Sequence, residues 1–98
     1  MPYFAAVQTI LNFDRTDAAR QPHLDFLAKM VADGHIYAWG RFPDGSGGLT
    51  IFQAASLEDA KKLAESDPYV SQGVRRLELR EWAMKVASQE NPVRSTSP

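Results

Sequence analysis

One segment of this 98-residue chain, residues 35–54, restricts the fold more than any other. It contains two strand-like runs, HIYAWGR at 35–41 and GLTIFQA at 48–54, with FPDGSGG between them. Proline, aspartate and glycine are residues that reverse a chain, so the segment predicts a β-hairpin whose loop is longer than the minimum. The rest of the chain has to be arranged around these two antiparallel strands.

A helix is predicted immediately before the hairpin. Apolar residues recur at helical spacing over residues 17–33, and Gly34 follows as a C-terminal stop. Proline lacks an amide hydrogen and fits near a helix start, so Pro22 predicts that the regular part of this helix begins around Gln21. His23 is then expected in the first helical turn.

The outer parts of the chain supply two further strands and a second helix. Residues 3–11 are rich in aromatic and β-branched residues, which predicts a buried strand. The SLED sequence at 56–59 matches an N-cap pattern, and the second helix is expected to end at Asp67 because Pro68 disfavours helical geometry in the residue before it. Residues 74–82 alternate between apolar and charged side chains, which predicts the last strand.

The element order β-α-β-β-α-β predicts an α+β, ferredoxin-like fold, with a four-stranded antiparallel sheet and both helices on one face. In this fold the end of the first strand, the start of the first helix, the hairpin loop and the start of the last strand meet at one edge of the sheet. Six separated residues with useful chemistry are therefore expected near one another: Arg20, His23, Asp44, Ser46, Asp67 and Tyr69.

Helices on one face leave the other face of the sheet uncovered. A second copy of the chain is the simplest cover, so we expect a homodimer that forms an α/β barrel, with Arg76, Glu78 and Arg80 on the interior side. The domain is expected to span residues 1–86. The polar segment 87–98 is expected to be a flexible tail or an arm that orders on a partner.

Composition narrows the classes of function. A formal net charge of -1 lacks the basic excess of nucleic-acid-binding proteins, and no apolar run approaches the length of a membrane span. The N-terminal residues have no basic flank, so a secretory signal is not expected. The absence of cysteine excludes thiolate catalysis, disulfides and cysteine-type zinc sites, and fits a cytoplasmic protein. No cofactor fingerprint is present, and no residue spacing requires a metal.

Several motifs resemble those of the YCII-related domain family over residues 3–82. RQPHLDFL is similar to its Arg-Pro-x-His-Leu helix start, WG to the Ala-Gly before its loop, and SLEDAKKLAESDPYVSQGV to its Ser-x-x-x-Ala helix that ends in Asp-Pro-aromatic and a glycine. The resemblance implies a dimeric barrel with a site centred on a histidine and an aspartate, which correspond to His23 and Asp67. One branch of the family includes a dehydrochlorinase of a chlorinated hydroquinone, and the wider superfamily includes muconolactone isomerases and small monooxygenases.

Each candidate residue has a functional and a structural interpretation. His23 could act as a general acid or base with Asp67 fixing its tautomer, or it could form only local hydrogen bonds near the helix start. Asp67 could instead only cap the turn before Pro68. Arg20 could clamp an anionic substrate or be a solvated surface residue. Ser46 and Tyr69 could bind substrate, or belong to an ordinary hairpin loop and an ordinary turn.

The candidate residues, taken with the family that the chain resembles, favour a small cofactor-independent enzyme of the lyase, isomerase or dehalogenase type. In it His23 moves a proton on a small molecule, with aromatic and lactone-like compounds as candidates, Asp67 orients the imidazole, and Arg20, Ser46 and Tyr69 position the substrate. The alternative is a non-catalytic module that binds a small molecule or serves as a dimeric interaction domain.

Overall fold

The computed structural model of the chain describes residues 1–87, so the predicted tail, 87–98, lies outside the described residues except for its first position. The strands are β1 (Tyr3–Ile10), β2 (Ile36–Arg41), β3 (Gly47–Gln53) and β4 (Arg75–Trp82), and the helices are α1 (Thr16–Ala32), α2 (Leu57–Glu65) and α3 (Pro68–Ser71). Three neighbouring strand pairs, all antiparallel, form one sheet in the order β2-β3-β1-β4. This order confirms the predicted ferredoxin-like α+β fold.

The main core lies between one face of the sheet and helices α1 and α2. Alternate residues of β1, Phe4 and Ala6, are almost completely buried and pack with Phe52 of β3, Leu27 of α1 and Ala60 of α2. The opposite residues of β1 point to the other face, because successive strand side chains alternate. Both long helices therefore cover the same face of the sheet.

Helix α1 begins earlier than predicted. It starts at Thr16 rather than around Gln21, so Pro22 lies inside the helix and His23 lies about two turns from its start, not in the first turn. The physical reason is tertiary packing: Ala19, in the first turn, is completely buried in a cluster with Tyr69 and Val74. That burial holds the early turns in place although Pro22 cannot donate a helical hydrogen bond.

Helix α3 is a short element that the sequence patterns did not predict. Pro68 stops α2 as expected, but it also stands at the first position of α3, where its missing amide hydrogen costs nothing. Asp67 has extended backbone geometry and caps α3 by accepting a hydrogen bond from the Tyr69 amide at 2.9 Å. The Asp-Pro-Tyr sequence thus holds the Asp67 carboxylate in a fixed position between two helices.

Candidate functional site

The centre of the site is a contact between a histidine and a buried aspartate. His23 of α1 and Asp67 lie 44 positions apart in sequence, and the His23 Nδ1 atom is 2.8 Å from Asp67 Oδ1 and 3.0 Å from Oδ2. The Asp67 side chain is 2% exposed and that of His23 is 12% exposed. An ionised carboxylate only accepts hydrogen bonds, so this contact requires the proton on Nδ1 and leaves Nε2 as the ring nitrogen available to a ligand.

Two further hydrogen bonds hold the Asp67 carboxylate. The Tyr69 amide donates to Oδ1, and the side-chain amide of Gln8 in β1 donates to Oδ2 at 3.0 Å. Each oxygen therefore has a donor in addition to the imidazole. A buried carboxylate with this many partners has little freedom to rotate.

Arg75 connects the same group of residues from the start of β4. Its Nη1 donates to Gln8 Oε1 at 3.1 Å, and its guanidinium carbon lies 4.2 Å from the centre of the Tyr69 ring. The Tyr69 ring in turn stacks on the His23 imidazole, with the ring centres 4.0 Å apart. Hydrogen bonds and ring contacts thus fix the plane of the imidazole from several sides.

His23 lines a cavity of about 270 Å³ between α1 and the helix-covered face of the sheet. Its walls include an apolar portion contributed by Leu24 and Leu27, and a polar portion that includes Gln8 and Thr50. A concave space with an apolar wall and a few convergent polar groups is typical of small-molecule sites. The geometry gives a molecule in this cavity access to a histidine with a fixed tautomer.

The structure brings together four of the five residues with a predicted catalytic or substrate-binding role. His23, Arg20 and Tyr69 line the cavity, and Asp67 lies directly behind the imidazole. Ser46 is not among the lining residues: its carbonyl accepts a hydrogen bond from the Ile10 amide and its own amide donates to Asp44. Ser46 is therefore a turn residue of the β2-β3 hairpin, and it does not line this cavity.

The sequence analysis missed several lining residues, among them Gln8, Arg75, Trp39 and Arg41, although strand periodicity contains a signal for the first two. Gln8 occupies the same face of β1 as Phe4 and Ala6, so a polar residue there must find a buried partner. Arg75 likewise shares the face of Leu77 in β4. No comparable signal marks Trp39 and Arg41, because they reach the cavity only through the pairing of β2 with β3.

The described residues contain neither a cluster of metal-ligating side chains nor a membrane-spanning helix. Within residues 1–87, no group of three or more His, Cys, Asp or Glu side chains is arranged to hold a metal ion. In the same residues, no helix has both the length and the apolar character that crossing a bilayer requires.

The His23 tautomer is directly measurable. When the His23 imidazole of the wild-type protein is neutral, we expect its one ring proton on Nδ1, because the Asp67 carboxylate can only accept a hydrogen bond from that atom. Asp67→Asn removes the charge that selects this tautomer, so the Nδ1-H population should fall. Long-range 1H-15N correlation spectra distinguish the two ring nitrogens, and His35, which lies away from this cavity, is an internal control. An unchanged His23 tautomer in the variant would contradict the assignment.

Comparison with known proteins identifies the family. The sequence profile of the YCII-related domain matches residues 1–83. Over 75 residues the chain is 33% identical to the uncharacterized protein YjpA of Bacillus subtilis (strain 168), covering 72% of this chain and 88% of YjpA. The structure of this chain is similar to that of 5-chloro-2-hydroxyhydroquinone dehydrochlorinase (TftG) from Burkholderia phenoliruptrix AC1100, which was solved in complex with 2,5-dihydroxybenzoquinone. The TM-score is 0.72 at 18% sequence identity, and the match covers 85% of this chain and 95% of TftG. The chain therefore belongs to the YCII-related domain family.

Proposed function

We propose that the chain is a small cofactor-independent enzyme in which His23 transfers a proton on a small molecule, in a reaction of the lyase, isomerase or dehalogenase type. The observation that supports this most is the 2.8 Å contact between His23 Nδ1 and a buried, fully hydrogen-bonded Asp67, on the wall of a cavity. A surface histidine that bonds only locally has no need of such a partner. A general base needs one, because its tautomer and its charged form must both be stabilised.

The residues have separate roles in this proposal. His23 Nε2 takes a proton from the substrate, and the Asp67 carboxylate stabilises the imidazolium that forms without itself accepting the proton. Tyr69 keeps the imidazole plane fixed by stacking, and Arg20 positions the substrate from the wall of the cavity. In an elimination of HCl, the substrate proton would go to His23, the electron pair of that bond would form the new double bond, and chloride would leave.

The likeness to TftG supplies a first compound for testing. TftG is named as a dehydrochlorinase of 5-chloro-2-hydroxyhydroquinone, and its structure contains the ring compound 2,5-dihydroxybenzoquinone. We expect this chain to act on a compound of similar size, since its cavity of about 270 Å³ has room for a single ring rather than a larger molecule.

The test is an incubation of the protein with 5-chloro-2-hydroxyhydroquinone and with a pool of small cyclic metabolites, followed by chloride analysis and mass spectrometry. An enzyme makes one species disappear and another grow, whereas a binding module only retains its ligand. Protein with the substitution His23→Gln provides the blank. If no compound in the pool is consumed while one is retained unchanged, the chain is a binding module and the proposal is wrong.

We also propose that the chain forms a homodimer through the face of the sheet opposite the helices. Within residues 1–87 no helix covers this face, which carries Ala5 and Val7 at its centre and charged residues of β4 at one side. Light scattering is expected to give twice the chain mass of 10.9 kDa. Val7→Glu should dissociate the dimer, whereas Leu57→Glu, at a half-exposed position of α2, should not. A wild-type protein of monomer mass would contradict the proposal.

A further inference from the structure

The cavity around His23 has a charge opposite to that of the chain as a whole. Three of its lining residues are arginines: Arg20 from α1, Arg41 from β2 and Arg75 from β4. None of its lining residues within the described chain is an aspartate or a glutamate, and the adjacent Asp67 is already engaged by His23 and its other partners. The whole chain has a formal net charge of -1, so this concentration of positive charge is local.

These arginines form no ion pair with a carboxylate of the described residues. Elsewhere on the surface Lys29 is paired with Asp33 at 2.8 Å. For Arg20, Arg41 and Arg75, by contrast, residues 1–87 provide no carboxylate within ion-pairing distance. Three cations line this small cavity and one carboxylate, Asp67, lies beside it, so the local charge is positive on balance and favours an anion.

Of the three arginines, Arg75 gives the strongest argument for a bound anion, because its side chain is partly buried. Its hydrogen bond from Nη1 goes to Gln8 Oε1, an uncharged acceptor, and its Nε is buried without a partner among the described residues. Burial lowers the pKa of Arg75 below the usual arginine value, and this effect is opposed by the nearby Tyr69 and Asp67. A guanidinium removed from water in this way gains more than an exposed one from an added negative charge.

The rest of the cavity is suited to an apolar ring. Leu24 and Leu27 contribute apolar surface, and Trp39, which is 53% exposed, offers an aromatic side chain at the opening. A ligand that satisfies both portions of the wall has a small apolar body and one negatively charged group.

We infer that this cavity selects a small organic anion, an aromatic or alicyclic carboxylate or phenolate, whose charge is bound by Arg75 and Arg41 and whose ring lies against Trp39 and the leucines. The inference rests on the proposed function only in taking this cavity as the ligand site. It adds the class of ligand and assigns specificity to two arginines that the catalytic proposal does not use.

Benzoate and benzamide form the matched probe pair, because they share size and ring and differ in charge. In 1H-15N titrations followed at the Trp39 indole and the Tyr69 amide, benzoate should bind about tenfold or more tightly than benzamide. Arg41→Gln and Arg75→Gln should each weaken the binding of benzoate severalfold and leave the affinity for benzamide unchanged. Arg80→Gln, on the opposite face of the sheet, is the control for the same loss of charge.

Three results would overturn the inference: equal affinities for the two probes, no binding of either, or an equal loss of benzoate binding in Arg80→Gln. If Arg75→Gln perturbs the fold through Gln8 and Tyr69, the exposed Arg41 still provides the test. Benzoate is not a substrate for elimination, so its selection over benzamide does not depend on proton transfer. A preference for benzoate over benzamide in a protein that turns over no substrate would uphold the inference and refute the proposed function. Turnover of a substrate without any preference for benzoate would uphold the proposed function and refute the inference.

Discussion

Replacing His23 by glutamine is expected to lower kcat on the substrate of the chain by about 10²–10⁴-fold, which is the usual contribution of a positioned general acid or base. Glutamine approximates the size of the imidazole and can donate to Asp67, so the carboxylate keeps a partner while the proton-accepting nitrogen is lost. Steady-state kinetics measure the effect. His35→Gln is the matched control, because His35 lies in a different depression of the surface, beside Met1 and Leu63.

A second comparison distinguishes proton transfer from a structural role of His23. His23→Ala removes the ring and leaves space beside Asp67, so added imidazole should restore part of the lost turnover if the ring acts as a base. A purely structural histidine would give no such rescue. Wild-type turnover in His23→Gln, in protein whose circular dichroism spectrum matches that of the wild type, would refute the catalytic assignment.

The pairing of His23 with Asp67 was predictable because two independent signals agreed. The order of elements in a ferredoxin-like fold brings the early part of α1 close to the segment before β4, and the motifs containing these residues resemble those of the family. Their contact depends on that topology more than on exact element ends. The prediction therefore succeeded although α1 begins at Thr16 and His23 is not in its first turn.

Other parts of the site depend on details that local patterns do not contain. Arg41 reaches the cavity through the register of β2 on β3, and that register includes an irregularity between Ile36 and Ala38. A one-residue change of register would turn such a side chain to the other face. The placement of Ser46 outside the cavity lining was unpredictable for a related reason: glycine-rich loop composition indicates a turn, but does not indicate which side chains of that turn approach a cavity.

The buried polar chain from Arg75 through Gln8 to Asp67 could have been inferred from strand alternation alone. Gln8 and Arg75 occupy inward positions of β1 and β4, where an unpaired polar group is costly. The patterns indicate that each needs a partner, but they do not identify it. The partner becomes evident only when the two strands are placed side by side, because 67 positions separate Gln8 from Arg75 in the sequence.

Because the hairpin approaches β1 closely, Gly47 is the glycine of the described residues at which an added side chain would meet the shortest contacts. It has a φ of 155°, and a Cβ atom added to it would lie 1.8 Å from the backbone oxygen of Gln8 and 2.8 Å from the Gln8 carbonyl carbon. Both contacts are with backbone, so no side-chain rotation can relieve them. The strand that carries Gln8 would have to move away from β3, and with it the amide that holds Asp67.

Gly47→Ala is therefore expected to reduce the free energy of unfolding by about 3 kcal/mol or more, a large fraction of the stability of a small domain. Gly40→Ala is the matched control, because Gly40 also lies in a strand and a Cβ there would meet no atom within 4 Å. Urea denaturation followed by tryptophan fluorescence measures both variants. Failure of Gly47→Ala to fold agrees with the prediction, whereas equal stability of the two variants would show that β1 and β3 are not held this closely at Gln8. In any folded fraction of Gly47→Ala, the Nδ1-H tautomer of His23 should also be less populated, because a displaced Gln8 no longer fixes the carboxylate that selects it.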